Sequence, residues 1–264
     1  MMHTTPKGRS IAITSGKGGV GKTSIAANLA WALTKAGNMV LVLDADLGLA
    51  NIDIMMNLHP TATLHEAFIG ELPLDEVIMH TPQGFDVLPA GSGLPEYSRL
   101  TSDVRLQLHD FINELCRRYD YVLLDTGAGI SDIVMYTASL AQEVVIIATP
   151  EPTSFADAYA TLKVMATQHQ RGHFSLIMNQ VSTQQEGRAL AEQLQHIADR
   201  FLGERAGQPV TINYLGEIPH DAAVPKSVRE RRLLLEGHPN VPAAKALIQI
   251  ATAMDHAAQP VGRV

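Results

Sequence analysis

Short apolar runs rich in β-branched residues alternate along this chain with stretches that repeat apolar positions every three or four residues. The first pattern predicts strands at Ser10–Ser15, Met39–Asp44, Phe85–Leu88, Tyr121–Asp125, Glu143–Ala148, Phe174–Asn179 and Thr211–Ile218. The second predicts helices at Thr23–Ala36, Asp103–Arg118, Asp132–Leu140, Ser154–Gln168, Glu186–Phe201 and Pro242–Ala257. Runs such as Val122–Leu124 and Val144–Ala148 are apolar throughout, which suits a parallel sheet covered on both faces. The order of elements predicts an α/β fold: a doubly wound, mostly parallel sheet flanked by helices. Such sheets bind ligands at the carboxyl ends of their strands. Gly37 falls where a helix should end, and Ser154 with Asp157 reads as a capping box. The stretch from Asn57 to Ser102 is the least regular and reads as surface elaboration, not a second domain.

Composition narrows this picture. The chain has 264 residues, is 46% apolar and 18% charged, and suits one large domain over residues 1–264. A short disordered N-terminus is expected at 1–9 and a short tail at 258–264. The first ten residues carry no apolar secretory segment, and no apolar run reaches the roughly 18 residues a membrane span needs. The single cysteine, Cys116, cannot form an internal disulfide and points to a reducing cytoplasm. Its place in a helical pattern reads as half-buried. Net charge is −7, so nucleic acid is not expected as a partner and membrane contact should be weak or indirect. The eleven histidines are scattered, without the spacing of a metal site.

The chemistry begins at Gly16-Lys17-Gly18-Gly19-Val20-Gly21-Lys22-Thr23, which fits the phosphate-binding loop pattern G-x-x-x-x-G-K-[ST] between a predicted strand and a predicted helix. Backbone N–H groups freed by the glycines, and the helix N-terminus, favour phosphate. Lys22 would hold the β- and γ-phosphates of ATP, and the Thr23 hydroxyl would ligate Mg²⁺. Ser24 completes the nucleotide-binding run. Lys17 is a second lysine that the pattern does not require. It is badly aimed at its own nucleotide and well placed to reach that of a second subunit. Asp125 ends an apolar strand and is followed by Thr126-Gly127-Ala128-Gly129, the place of a Mg²⁺-holding aspartate before a rearranging loop. Asp46 follows another strand and is read as a Mg²⁺ ligand that orients the attacking water; Asp44 reads as a brace for the site.

With these segments in view, the chain resembles the MinD/ParA group of deviant Walker A phosphate-loop ATPases. The resemblance rests on KGGVGKT at Lys17–Thr23, DADLGLAN at Asp44–Asn51 and LLDTGAGIS at Leu123–Ser131, and extends over roughly residues 8 to 255. It implies that Lys17 is the signature lysine crossing an ATP-bound homodimer, and that Asp46 and Asp125 are the two switch aspartates. It also implies that Asn179 reads the adenine edge, that Pro219 and Asp221 close over the base, and that Glu151 touches the partner's nucleotide. Within the group, EPTSFADAYA at Glu151–Ala160 resembles the FlhG family, also called FleN or YlxH. That likeness implies a Mg²⁺-dependent ATPase, slow without stimulation, that regulates flagellar number and placement. Implied partners are the flagellar GTPase FlhF, a flagellar transcriptional activator, or basal-body components, and the implied location is cytoplasmic with transient visits to the inner membrane or cell pole.

Two departures from the family's pattern bear on those implications. FlhG proteins often begin with an activating stretch for FlhF. Here about nine residues precede the first predicted strand, which leaves GTPase activation open. Members of the group often end in a basic amphipathic helix, yet Pro242–Ala257 carries one cation, Lys245, and reads as a core helix. Lys226, Arg229, Arg231 and Arg232 form a basic cluster that reads as a solvated face or a rim beside the nucleotide. It keeps open a ParA-type ATPase that positions DNA or another cargo. Met55-Met56 suits either a partner surface or core packing. An iron–sulfur carrier of the same group would need more cysteines. A small-molecule kinase or ligase would need an acceptor pocket that no segment advertises.

Overall fold

A computed structural model describes residues 8–46, 52–90 and 101–256. In chain order its elements are β1 (Arg9–Ser15), α1 (Lys22–Lys35), β2 (Val40–Ala45), α2 (Ile52–Met56), α3 (Leu64–Phe68), α4 (Leu74–Val77), β3 (Met79–His80), β4 (Asp86–Leu88), α5 (Ser102–Arg118) and β5 (Tyr121–Ala128). They continue as α6 (Asp132–Leu140), β6 (Glu143–Ala148), α7 (Pro152–Gln168), β7 (His173–Val181), α8 (Gln184–Phe201), α9 (Gly203–Ala206), β8 (Thr211–Pro219), α10 (Ala223–Arg229), α11 (Leu234–Gly237) and α12 (Pro242–His256).

The strands form one eight-stranded sheet in the order β3-β4-β2-β5-β1-β6-β7-β8. Each pairing is parallel except the short antiparallel β3–β4 contact at one edge. The continuous apolar strands split by alternation between two cores. Ala12, Leu41, Leu43, Val122, Leu124 and Leu176 face one, where they meet Leu115 of α5, Met135 of α6, Leu162 of α7 and Leu194 of α8. Ile11, Ile13, Val42, Leu123, Val145 and Ile177 face the other, with Leu29 of α1, Leu234 of α11 and Ile250 of α12. A strand with both faces buried needs apolar residues at every position, which is why these runs show no polar alternation.

The expected α/β architecture holds, with particular differences. Gly37 does close α1: its φ is 96°, its N–H donates to the Thr34 carbonyl at 2.9 Å, and the Asn38 N–H reaches the Leu33 carbonyl at 3.2 Å. The capping box read at Ser154 and Asp157 is not formed. Helix α7 starts earlier, with Pro152 in its first turn and Glu151 as a cap whose side chain makes no hydrogen bond to that turn. Ser154 is buried, and its hydroxyl accepts the Thr149 N–H at 3.0 Å. A capping box does form at Thr63 and Glu66, opening α3. Strand β5 does not end at Asp125; it runs on to Ala128, held by the Thr126 hydroxyl donating to the Ile13 carbonyl at 3.2 Å. Cys116 is fully buried rather than half-buried.

Disorder through residue 9 is also corrected. The Gly8 N–H bonds the Cys116 carbonyl, and Arg9 opens β1 with its Nε donating to Glu143 at 2.7 Å. Residues 1–7 and 257–264 lie outside the described residues. The irregular stretch after Asn57 is more than decoration, because Phe85, Val87 and Leu88 are fully buried at the sheet edge. Arg118, at the end of α5, forms an ion pair with Asp75 of α4. Helix α12 is a core helix: Ala243, Ala244, Leu247, Ile250, Ala251 and Met254 are buried.

Asn28 ties α1 to the outer layer. It is 1% exposed, donates to the Ser24 carbonyl at 2.7 Å, and accepts the Leu235 N–H at 3.0 Å. Asn28→Ala would strand that buried N–H at a cost of about 1–3 kcal/mol. Urea denaturation should show this loss; an unchanged midpoint would contradict it.

Candidate functional site

The chain leaves β1 at Ser15, turns through Gly16–Gly21 and enters α1 at Lys22. Gly21 caps α1 with φ 97° and no side-chain bond, which leaves the first-turn N–H groups for an anion. A Cβ there would also lie 2.7 Å from Asn179 Nδ2, so glycine is required twice over. Gly16 packs directly on the backbone of Asp157, and a Cβ on it would overlap the Asp157 carbonyl. The loop is thus seated on α7.

Opposite charges meet beneath the loop. Lys22 is 8% exposed and its ammonium donates to Ser15 Oγ at 3.0 Å. Burial lowers its pKa, while Asp125 and Asp46 oppose that shift. Asp125 is 3% exposed and sits in register with Asp44 on the neighbouring strand. Burial pushes its carboxyl up to about 7; a Thr23 hydrogen bond and Lys22 pull the other way, while Asp44 and Asp46 push it up. Asp125 Oδ1 is buried with no hydrogen-bond partner among the described residues. Asp44 braces the segment beyond β2: its carboxylate accepts the Asp46 N–H at 3.1 Å and the Ile52 N–H at 3.3 Å. The rest of that segment, residues 47–51, lies outside the described residues.

A cavity of about 490 Å³ brings together Gly18, Gly19, Gly21, Lys22, Thr23, Ser24, Asp44, Asp46, Asp125, Thr126 and Ala128, closed by Ile54, Met55, Val228 and Arg231. The buried, unpartnered oxygen of Asp125, the Thr23 hydroxyl and Asp46 form an all-oxygen donor set that fits Mg²⁺.

Other expected residues lie elsewhere. Lys17 turns away from the cavity: its ammonium donates to Glu151, forming an ion pair, and to Thr153 Oγ1 at 3.0 Å. Asn179 Nδ2 donates to the Val20 carbonyl at 2.7 Å, behind the loop. Asp221 accepts N–H groups from Ala223 at 2.9 Å and Ala243 at 3.4 Å, bracing the starts of α10 and α12. Pro219 ends β8. Asn179, Pro219 and Asp221 do not line the cavity among the described residues.

Three contributors were not legible beforehand: Ser15 under Lys22, Thr153 on Lys17, and Asp157 under Gly16. The polar Ser15 closing an apolar strand was the one available signal for them. Of the basic cluster, Arg231 lies at the cavity wall beside Val228, as one of its two readings expected. Another cleft, of about 480 Å³, opens beside His169, Arg171 and Gln208. Arg171 there is occupied by the carbonyls of Ser139, Ala141 and Gln142.

The raised Asp125 pKa has a sign that can be tested. In the unfolded chain this carboxyl titrates near 3.8. Between that pH and about 7 the folded protein holds a proton that the unfolded chain has released. The resulting stability is full below 3.8 and is lost as pH rises toward 7. In metal-free protein, the stability of Asp125→Asn relative to wild type should therefore increase from about pH 4 to about pH 7 in urea titrations. A difference that stays flat over that range would contradict the assignment.

The ParA family model, described as NUBPL iron-transfer P-loop NTPase, matches residues 7–255. The antiactivator FleN of Pseudomonas aeruginosa is 38% identical over 245 residues, covering 93% of this chain and 85% of FleN. The flagellum site-determining protein YlxH of Helicobacter pylori is 37% identical over 243 residues, covering 91% of this chain and 80% of YlxH. The septum site-determining protein MinD of Pyrococcus horikoshii, solved with Mg-ADP, superposes with a TM-score of 0.77 at 25% identity, over 97% of this chain and 99% of that one. A fold shared at this coverage, together with the phosphate loop and its carboxylates, means that the chain belongs to the ParA/MinD family of P-loop NTPases.

Proposed function

We propose that the chain, acting as one unit over residues 1–264, is an ATP-driven switch. In this reading it dimerises on ATP, hydrolyses it slowly to ADP and phosphate, and regulates flagellar number or placement through partner proteins. The observation that carries this reading is the opposed placement of its two loop lysines. Lys22 is buried in the cavity, whereas Lys17 points outward to Glu151 and Thr153. A lysine so placed cannot complete its own site but can complete that of a second copy.

Within one copy, the loop N–H groups and the start of α1 would receive the phosphates, and Lys22 would neutralise the β- and γ-oxygens. Ser24 follows at the start of the helix. Thr23, Asp46 and Asp125 would hold Mg²⁺, which when bound offsets charge between the β- and γ-phosphates. Asp46 would orient the attacking water. Lys17 of the second copy would stabilise charge developing on the γ-phosphate, and Glu151 would meet that copy's nucleotide. Asn179, Pro219 and Asp221 would form the base side, with Asn179 exchanging its bond to the Val20 carbonyl for the adenine edge.

The name of YlxH, a flagellum site-determining protein, supports the flagellar role, and that of FleN, an antiactivator, supports a transcriptional activator as one partner. FlhF and basal-body components are the other partners this reading carries. The family model's association with iron transfer raises that function instead. A carrier needs accessible cysteine ligands, typically two per subunit. This chain has one, Cys116, buried at 2% exposure, and burial pushes its thiol pKa up. The DNA-positioning reading loses ground because Lys226 and Arg232 each face a glutamate, at 3.9 and 3.7 Å. The apolar face of α12 is spent on the core, and among the described residues no helix is long and apolar enough to cross a membrane. A cytoplasmic site of action, with transient visits to the inner membrane or pole, fits this reading.

Phosphate release and nucleotide titration test the division of labour between the lysines. Lys22→Ala should abolish measurable ATP binding. Lys17→Ala should leave ATP affinity of the isolated chain within about twofold but lower kcat by about 100-fold or more. Wild-type turnover per chain should rise with protein concentration. Equal turnover by Lys17→Ala, or a rate independent of concentration, would overturn the proposal.

A further inference from the structure

Helices α2 and α10 end alike. The Asn57 N–H donates to the Ile54 carbonyl at 3.3 Å and the Leu58 N–H to Asp53 at 2.8 Å. The Arg231 N–H donates to Val228 at 3.1 Å and the Arg232 N–H to Ser227 at 3.1 Å. Each closure places one residue in the left-handed region, Asn57 at φ 54° and Arg231 at φ 51°. Glycine is the usual residue there and asparagine is tolerated, but an arginine is strained.

The two residues meet. Arg231 Nη1 donates to Asn57 Oδ1 at 2.9 Å, and Arg231 also lines the phosphate-loop cavity. Lys22 and Arg231 are the two cations among the described lining residues. The partner of Arg231 is a neutral amide oxygen, which uses one of the five guanidinium donors and none of its charge. Two nearby cations differ, since Lys226 faces Glu230 and Arg232 faces Glu236. Among the described residues, no carboxylate lies within ion-pair distance of Arg231.

We propose that Arg231 is a further nucleotide-binding residue, whose guanidinium leaves Asn57 to pair with the phosphate chain of ATP or ADP. The inference rests on the phosphate reading of the cavity given above. A guanidinium fork matches two phosphate oxygens at once, whereas an amide oxygen does not. The strained backbone at Arg231 then has a purpose: it keeps the side chain at the cavity wall. The arginine that links α10 to α2 without nucleotide would report phosphate occupancy to α10.

Calorimetric titration with ATP–Mg²⁺ and ADP–Mg²⁺ tests this on wild type, Arg231→Gly, Asn57→Ala and Lys22→Ala, together with melting temperatures of the nucleotide-free proteins. Arg231→Gly should weaken both nucleotides about tenfold and flatten the salt dependence of Kd. Its melting temperature should not fall, because glycine suits the left-handed position. Asn57→Ala should bind at least as tightly as wild type. Arg231→Gly affinity within twofold of wild type with an unchanged salt slope would overturn the proposal. So would equal losses of affinity and melting temperature in Arg231→Gly and Asn57→Ala, the mark of a structural clasp. Failure of wild type itself to bind nucleotide would instead defeat the phosphate reading.

Discussion

A lysine and an aspartate buried at the carboxyl ends of a fully covered sheet govern the rest of this structure. Lys22 and Asp125 sit where water is nearly excluded; burial lowers the pKa of the first and raises that of the second, and the attraction between them opposes both shifts. The pairing is incomplete, since one Asp125 oxygen keeps no hydrogen-bond partner among the described residues. Everything nearby serves this arrangement. The in-register pairing of Asp44 with Asp125 brings the two strand ends together. Left-handed glycines at positions 19 and 21 let the loop pass over them, and Ser15 steadies the ammonium from below. A polyanion with its divalent cation would complete what the protein leaves open.

The second constraint is contact between the phosphate loop and α7. Gly16 lies against the Asp157 backbone, and Lys17 spans to Glu151 and Thr153 at the start of the same helix. The pair is exposed, with the Glu151 side chain at 61%, and exposed ion pairs stabilise little. Lys17 is therefore held weakly enough to leave. One helix thus fixes the loop rigidly through glycine and parks its extra lysine loosely through a surface bond. That combination suits a site whose last charge arrives from outside.

How much of this was readable in the chain depended on how local the cause was. Helix Asp132–Leu140 and strand Glu143–Ala148 came out with the expected limits, because their apolar patterns are strong and their ends are marked. The phosphate loop, Asp46 and Asp125 were legible as motifs, and the structure brings them into one cavity. The failures share a physical reason. Ser154 had the right local pattern for a cap, but Pro152 starts the helix earlier and turns that serine inward. Helices α2, α3, α4, α10 and α11 are too short for periodicity to reveal. The contacts Lys17–Thr153 and Arg231–Asn57 join residues 136 and 174 positions apart, and no pattern along the chain encodes them. Asn179 and Asp221 were legible as residues but not in their bonds, which in this state go to the protein itself.

The central claim is that one copy of this chain lacks a charge that a second copy supplies. The most direct measurement is molar mass by light scattering of Asp46→Ala, a variant in which hydrolysis should be slowed, with ATP–Mg²⁺ and then with ADP–Mg²⁺. The account predicts twice the chain mass with ATP and the single-chain mass with ADP, with the ATP dimer lost when Lys17→Ala is added. A single-chain mass with both nucleotides, while ATP is demonstrably bound, would contradict it.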